Sequence, residues 1–233
     1  MAQAEHYRQQ GQLTQPNDAN AYQAFRQVLQ LDSNNETAQK GLNQLSRDIE
    51  QQAQQFRQKG QLAASMSSIE EGLRVAPQDQ NLQALRAEVK KAIIVNQEID
   101  QRLARAQQYW NQKTQLTQPA GDNAAENYQR VLELDSNNTE AQQGLEQLTA
   151  YFLQQAKQLQ REEQLQESLV QITEGLKVSP NNKLLLALQD QVQGKLGEIE
   201  TAQAAAERRQ QEIARLLDQA HRQLDESKLD TPR

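Results

Sequence analysis

The chain has 233 residues and a net charge of −6, is only 4% aromatic, and contains no cysteine. The missing thiols exclude disulfide frameworks, thiolate zinc sites and cysteine nucleophiles, and charges of both signs are interspersed rather than gathered into the basic face that nucleic acid requires. No run of eighteen apolar residues could cross a membrane, and Met1–Gln10 has no apolar stretch of the kind a signal peptide carries.

One feature dominates the order of the residues. The stretch Leu13–Leu45, LTQPNDANAYQAFRQVLQLDSNNETAQKGLNQL, returns as Leu116–Leu148, LTQPAGDNAAENYQRVLELDSNNTEAQQGLEQL, without a gap, at an offset of 103 residues and with 19 of 33 positions identical. An internal repeat of this length sets the architecture before any local motif does. Glutamine makes up roughly a fifth of the chain, and it falls between apolar residues at helical spacing, as expected of an uncharged solvent face.

In chain order, residues 3–12 read as the end of a helix, with Tyr7 in the position that Trp110 takes before the second copy. Gln12–Ala19 is a connection, closed to helix by Pro16. Asn20 and Asn123 are N-caps. Ala21, Phe25, Val28 and Leu29 then make one apolar face, repeated by Ala124, Tyr128, Val131 and Leu132. Asp32-Ser33-Asn34-Asn35 stops that helix and caps the next. The N-x-Thr sequons there, at Asn35 and Asn137, are explained by turn and cap chemistry.

A third helix over about Glu36–Lys59 carries Leu42, Leu45, Ile49, Ala53 and Phe56, answered by Leu145, Leu148, Phe152, Ala156 and Leu159. It ends at Gly60-Gln61 and, more weakly, at Glu163-Gln164. A fourth helix presents Leu62, Met66, Ile69 and Leu73, or Leu165, Leu169, Ile172 and Leu176, and ends before Pro77 and Pro180. Gly72 and Gly175 sit inside it, where glycine costs about 1 kcal/mol relative to alanine, so a close neighbour is expected. From Gln80 to Thr114 there is no Gly or Pro. Leu82, Leu85, Val89, Ala92, Ile99, Leu103, Ala106 and Trp110 follow a heptad with Asn96 in one core slot, the period of a left-handed supercoil. The matching stretch Lys183–Lys228 is longer. Its stripe continues through Leu196, Ile199, Ala206, Ile213, Leu217, Ala220 and Leu224, with Gln203 and Gln210 in core slots. Leu229-Asp-Thr-Pro232 reads as a third LTQP start, as expected of an excised segment, or of the end of an array, cut in the same phase at both ends.

The helix pairs that close on proline resemble tetratricopeptide repeats, the helix-turn-helix units that stack into a superhelix. The second copy carries the resemblance through Phe152, Ala156, Leu159, Ser168, Ile172, Gly175 and Pro180, and the first through Ile49, Ala53, Phe56, Ser65, Ile69, Gly72 and Pro77. The LTQP block and its helix resemble a degenerate unit, with Ser33 or Ser136 in place of the usual proline. The family's Trp-Leu-Gly-Tyr helix is absent. The LTQP phrase is also similar to repeats of bacterial envelope proteins, which implies the periplasm or cell envelope.

The fold expected is therefore all-α, with tetratricopeptide-like pairs in an α-solenoid linked by long heptad helices. Residues 1–81 form a first module, 82–114 a long linking helix, 115–182 a second module, and 183–233 a long helix with the start of a truncated third repeat. No phosphate loop, metal-ligand spacing or nucleophile with a base is present, so no enzymatic activity, cofactor or metal is expected. Glu70-Glu71 and Glu162-Glu163 read as solvated carboxylates, Trp110 as core packing, and His6 and His221 as inert.

The resemblance implies a non-catalytic scaffold that takes a protein or peptide partner in the groove lined by the first helix of each pair. Arg47, Gln51, Gln54, Arg57 and Gln58 are the candidates there, with Gln154, Lys157, Gln160 and Arg161 in the second copy; Arg47, Gln51, Gln54 and Gln58 share one side of their helix. The family's Lys/Asn clamp for a C-terminal carboxylate is not visible. The rival reading is a structural rod whose heptad helices self-associate, as a homodimer, through Ile99, Leu103, Ile213 and Leu217. A third is an accessory segment of a larger envelope enzyme or sensor. Neither nucleic acid nor direct membrane insertion is expected.

Overall fold

A computed structural model describes residues 1–229, with side chains as far as residue 222. The last three residues of the LTQP-like ending therefore lie outside the described residues. Those residues form nine helices and no strand. They are α1 Ala2–Gln9, α2 Ala21–Leu31, α3 Glu36–Gln58, α4 Leu62–Val75, α5 Gln80–Gln112, α6 Ala124–Leu134, α7 Thr139–Arg161, α8 Leu165–Val178 and α9 Lys183–Leu229. The chain is all-α, with tetratricopeptide-like helix pairs and two long heptad-patterned helices. The boundaries of α6, α7 and α8, and the start of α9, are those of α2, α3, α4 and α5 displaced by 103 residues.

The caps explain why the boundaries coincide. The Asn20 side chain accepts a hydrogen bond from the Gln23 amide at 2.9 Å, and Asn123 does the same for Glu126 at 2.9 Å. Asn35 caps α3 through the Ala38 amide at 3.1 Å, and Asn138 caps α7 through Ala141 at 3.0 Å. The Asp-Ser-Asn-Asn turn is thus consumed by capping, each cap being worth about 1 kcal/mol. α3 ends on Gly60 in the left-handed region at φ +73°, and α7 ends on Glu163 at φ +62°.

The chain divides into two compact units, residues 1–101 and 102–233. In the first, α1 packs on α2, α2 on α3 and α3 on α4. One core cluster gathers Ala4, Ala21, Phe25, Ala38, Leu45 and Ile49. A second joins Ala53, Ile69, Leu85 and Val89, flanked by Leu62, Met66, Leu73 and Ile93. Ser65 Oγ donates to the Ala53 carbonyl at 2.8 Å, so the small residue of the repeat pattern ties α4 to α3. Gly72 sits where a Cβ would stand 2.6 Å from Leu82 Cδ1 and 3.1 Å from Ile49 Cγ2, the close approach that justifies a mid-helix glycine.

The second unit repeats the contacts among α2, α3 and α4. α6 packs on α7, and α7 and α9 both pack on α8. Ala156, Leu165, Ile172, Leu188 and Val192 form a core cluster there. Ser168 Oγ donates to the Ala156 carbonyl at 2.9 Å. A Cβ on Gly175 would meet Leu185 Cδ1 at 2.8 Å and Phe152 Cβ at 3.1 Å. The end of α5 belongs to this unit. Leu103 and Ala106 are buried in it, Gln107 meets the Tyr128 hydroxyl, and the Tyr109 hydroxyl donates to Asp122 at 2.8 Å.

Three features fall outside the sequence reading. Gly41 and Gly144 lie directly under the rings of Phe25 and Tyr128. Glu71 is not simply solvated: it accepts a hydrogen bond from Thr14 at 2.7 Å, and Glu174 accepts one from Thr117 at 2.5 Å, so both LTQP loops are tied to the last helix of their module. Trp110 is half-buried rather than a core residue.

Candidate functional site

The predicted groove residues project from α3 and α7. Arg47, Gln51 and Gln58 are exposed, and Gln54 is half-buried with its amide donating to Glu50 at 3.0 Å. Arg57 is already engaged: its guanidinium donates to Glu88 of α5 at 2.5 Å. Both partners of that pair are largely exposed, so it holds a geometry more than it stabilises one.

In the second unit, Gln154, Lys157 and Arg161 are exposed and Gln160 is half-buried. The structure brings Gln160 and Arg161 together with Glu163, Gln191 and Lys195 around an open depression of about 420 Å³ between α7 and α9. Gln154 and Lys157 are not among its lining residues.

A displacement by 103 residues takes Arg57 to Gln160, Glu88 to Gln191 and Ala92 to Lys195. The ion pair that closes the first unit's face is therefore replaced by two neutral amides and an added cation. Arg161 and Lys195 pair with no carboxylate among the described residues, and Glu163 on the rim leaves a surplus of one positive charge. Such an opening can receive a carboxylate through charge-assisted hydrogen bonds, with amides ready to bond a peptide backbone. The sequence reading missed Gln191 and Lys195 because it looked along single helices. The exchanges at positions 88/191 and 92/195 between the copies were the available signal.

The four residues expected to drive self-association divide. Leu103 is buried within the second unit and Ile99 is half-buried, whereas Ile213 and Leu217 are 52% and 55% exposed. Asn96 is exposed in the single chain. Residues 197–222 of α9 are exposed throughout.

At the other end of the unit, the Tyr109 hydrogen bond holds the Asp122 carboxyl below its ordinary value, with Asn127 and Arg105 adding to the effect. Among the described residues there is no group of three side chains suited to a metal ion, and no helix is long and apolar enough to cross a membrane.

No family model matches the chain, and no curated protein matches it. Among solved structures it is similar to the C-terminal TPR-containing domain of a Plasmodium falciparum FK506-binding protein, at 19% identity and a TM-score of 0.20, over 70% of this chain and 95% of that one. The tetratricopeptide-like description rests on the helix pairs themselves and on their repetition.

Proposed function

We propose that the chain is a non-catalytic scaffold that binds a protein or peptide partner, and that the depression between α7 and α9 is where an acidic group of that partner docks. The observation behind this reading is the pair of cations, Arg161 and Lys195, that face Gln160 and Gln191 without a carboxylate partner, where the first unit closes the same positions with Arg57 and Glu88. A peptide whose aspartate, glutamate or terminal carboxylate lies between those cations would leave the two amides to bond its backbone.

The test is selection of an acidic peptide from a displayed library, followed by fluorescence anisotropy with the selected peptide. Arg161→Glu combined with Lys195→Glu is expected to weaken binding by at least roughly tenfold, the loss of about 1.4 kcal/mol or more. Arg57→Glu is expected to leave it unchanged, since that guanidinium is already paired. Undiminished binding by the Arg161/Lys195 double variant would remove the assignment.

A second reading, self-association through α9, is favoured by one observation. Ile199, Ile213, Leu216 and Leu217 are between 44% and 55% exposed on a helix that continues far past its last buried residue, Val192. An envelope setting belongs to the same proposal and is supported by the LTQP phrase alone.

A further inference from the structure

We propose that the corner formed by Trp110 and Tyr151 is a receptor for the ammonium group of a lysine side chain, plain or N-methylated, on a protein partner, and that Lys113 of this chain fills it until that partner arrives. Trp110 closes α5 and Tyr151 lies on α7. Their ring centroids are 5.8 Å apart and their planes stand at 87°, so the two rings form the walls of a right-angled corner. The Lys113 ammonium lies 2.9 Å from the Trp110 centroid and 5.3 Å from that of Tyr151. Ring faces carry negative potential and attract such a cation, most strongly at tryptophan.

Three observations make this a seat rather than a packing contact. First, the cation has no anionic partner. No carboxylate bonds to Lys113 among the described residues, and desolvation is the cause that lowers its ammonium pKa. Aromatic faces therefore hold the charge alone, which is the chemistry that also tolerates alkylated ammonium groups.

Second, the occupant is presented on a short leash. Lys113 follows the last residue of α5 with φ 53°, and Gln115 has φ 47°; the Lys113 amide donates to the Trp110 carbonyl at 3.2 Å, so the turn that ends α5 keeps the lysine close to the ring it covers. Lys113 is exposed while both rings are half-buried, so the corner opens to solvent through its occupant.

Third, the first unit solves the same position differently. Displaced by 103 residues, Trp110 is Tyr7 and Tyr151 is Asp48. There Arg8 from α1 donates to Asp48 at 2.7 Å and to Glu5 at 2.9 Å. A cation sits beside the third helix of each module, held by carboxylates in one and by rings in the other. The carboxylate version is a fixed internal pair. The aromatic version binds a cation by shape and potential, and it can exchange one lysine for another.

Trp110 is the only tryptophan in the chain, so its fluorescence reads the corner directly. The full chain is titrated with N-acetyl-lysine methylamide, its trimethyl-lysine analogue, and the neutral norleucine amide. Saturable changes are expected with both cationic amides and none with norleucine. Lys113→Gln, which empties the seat, is expected to tighten both roughly tenfold, as for a cation–π contact of one to two kcal/mol removed from competition. Tyr151→Ala is expected to abolish saturation with an unchanged far-ultraviolet circular dichroism spectrum. No saturable response in Lys113→Gln, or an equal response to norleucine, overturns the proposal. So does binding of phosphatidylcholine vesicles in place of the lysine amides, which would make the corner a lipid site. These probes do not involve Arg161 or Lys195, so this result and that of the acidic-peptide experiment are independent.

Discussion

At the residue scale, the two copies act as natural substitutions of one another. The end of α3 is Gly60 at φ +73°, and the end of α7 is Glu163 at φ +62°. Nothing stands within 4 Å of the place a Cβ would take at Gly60, so the difference between the two sites is backbone conformation and not crowding. A side chain in the left-handed region costs about 1–2 kcal/mol, partly offset because glycine loses more freedom on folding. Glu163→Gly is therefore expected to stabilise the chain by about 0.5–1 kcal/mol, and Gly60→Glu to destabilise it by a similar amount. Urea titration followed by circular dichroism measures both; a less stable Glu163→Gly would show that the rim carboxylate contributes more than the backbone costs. Glycines 41 and 144 are a different case, since each is roofed by an aromatic ring and any Cβ would have to displace it.

At the scale of single elements, what is legible depends on whether the cause is local. Helix starts were readable because Asn20, Asn35, Asn123 and Asn138 each bond an amide three residues ahead. The glycines at 72 and 175 were readable as close approaches because they break propensity twice in the same place. The aromatic corner was not, since Trp110 and Tyr151 lie 41 residues apart, and the heptad that includes Trp110 does not say which residue of another helix it meets. Nor was the depression at Gln160, because α9 supplies half of it. α9 itself poses the open question of this scale. Most helical stability comes from packing an apolar face, and helices without it are marginal in water. Beyond Leu196, which still packs on the core of the second unit, that face is exposed among the described residues at Ile199, Ile213 and Leu217. If a second copy covers it, sedimentation equilibrium finds a dimer that Ile213→Glu with Leu217→Glu dissociates while the thermal midpoint of the rest of the chain holds. A parent chain that stays monomeric at high concentration would remove the rod reading. Charge at Leu103 is not an equivalent probe, since that side chain is buried within its own unit and its replacement would unfold what it is meant to test.

At the scale of the whole molecule, the repetition makes a quantitative claim about cooperativity. Repeat architectures have stabilities that sum local terms with nearest-neighbour ones, and here the residues group into two compact units, 1–101 and 102–233, each with its own buried clusters. Ile69 and Ile172 occupy corresponding positions and are both 0% exposed. Truncating either to alanine is expected to cost about 2–5 kcal/mol. The expense should fall on the unit that carries the substitution. Trp110 reports only on the second unit, whereas circular dichroism reports on both. Ile172→Ala should therefore lower the urea midpoint seen by Trp110 fluorescence. Ile69→Ala should split the dichroism transition, shifting its early part and moving the fluorescence midpoint by less than half as much. The continuous helix α5 spans the division between the units and is the route by which any remaining shift would travel. Equal fluorescence shifts from the two substitutions would mean that α5 couples the modules into one cooperative unit, and the chain would then unfold as a single domain despite being written twice.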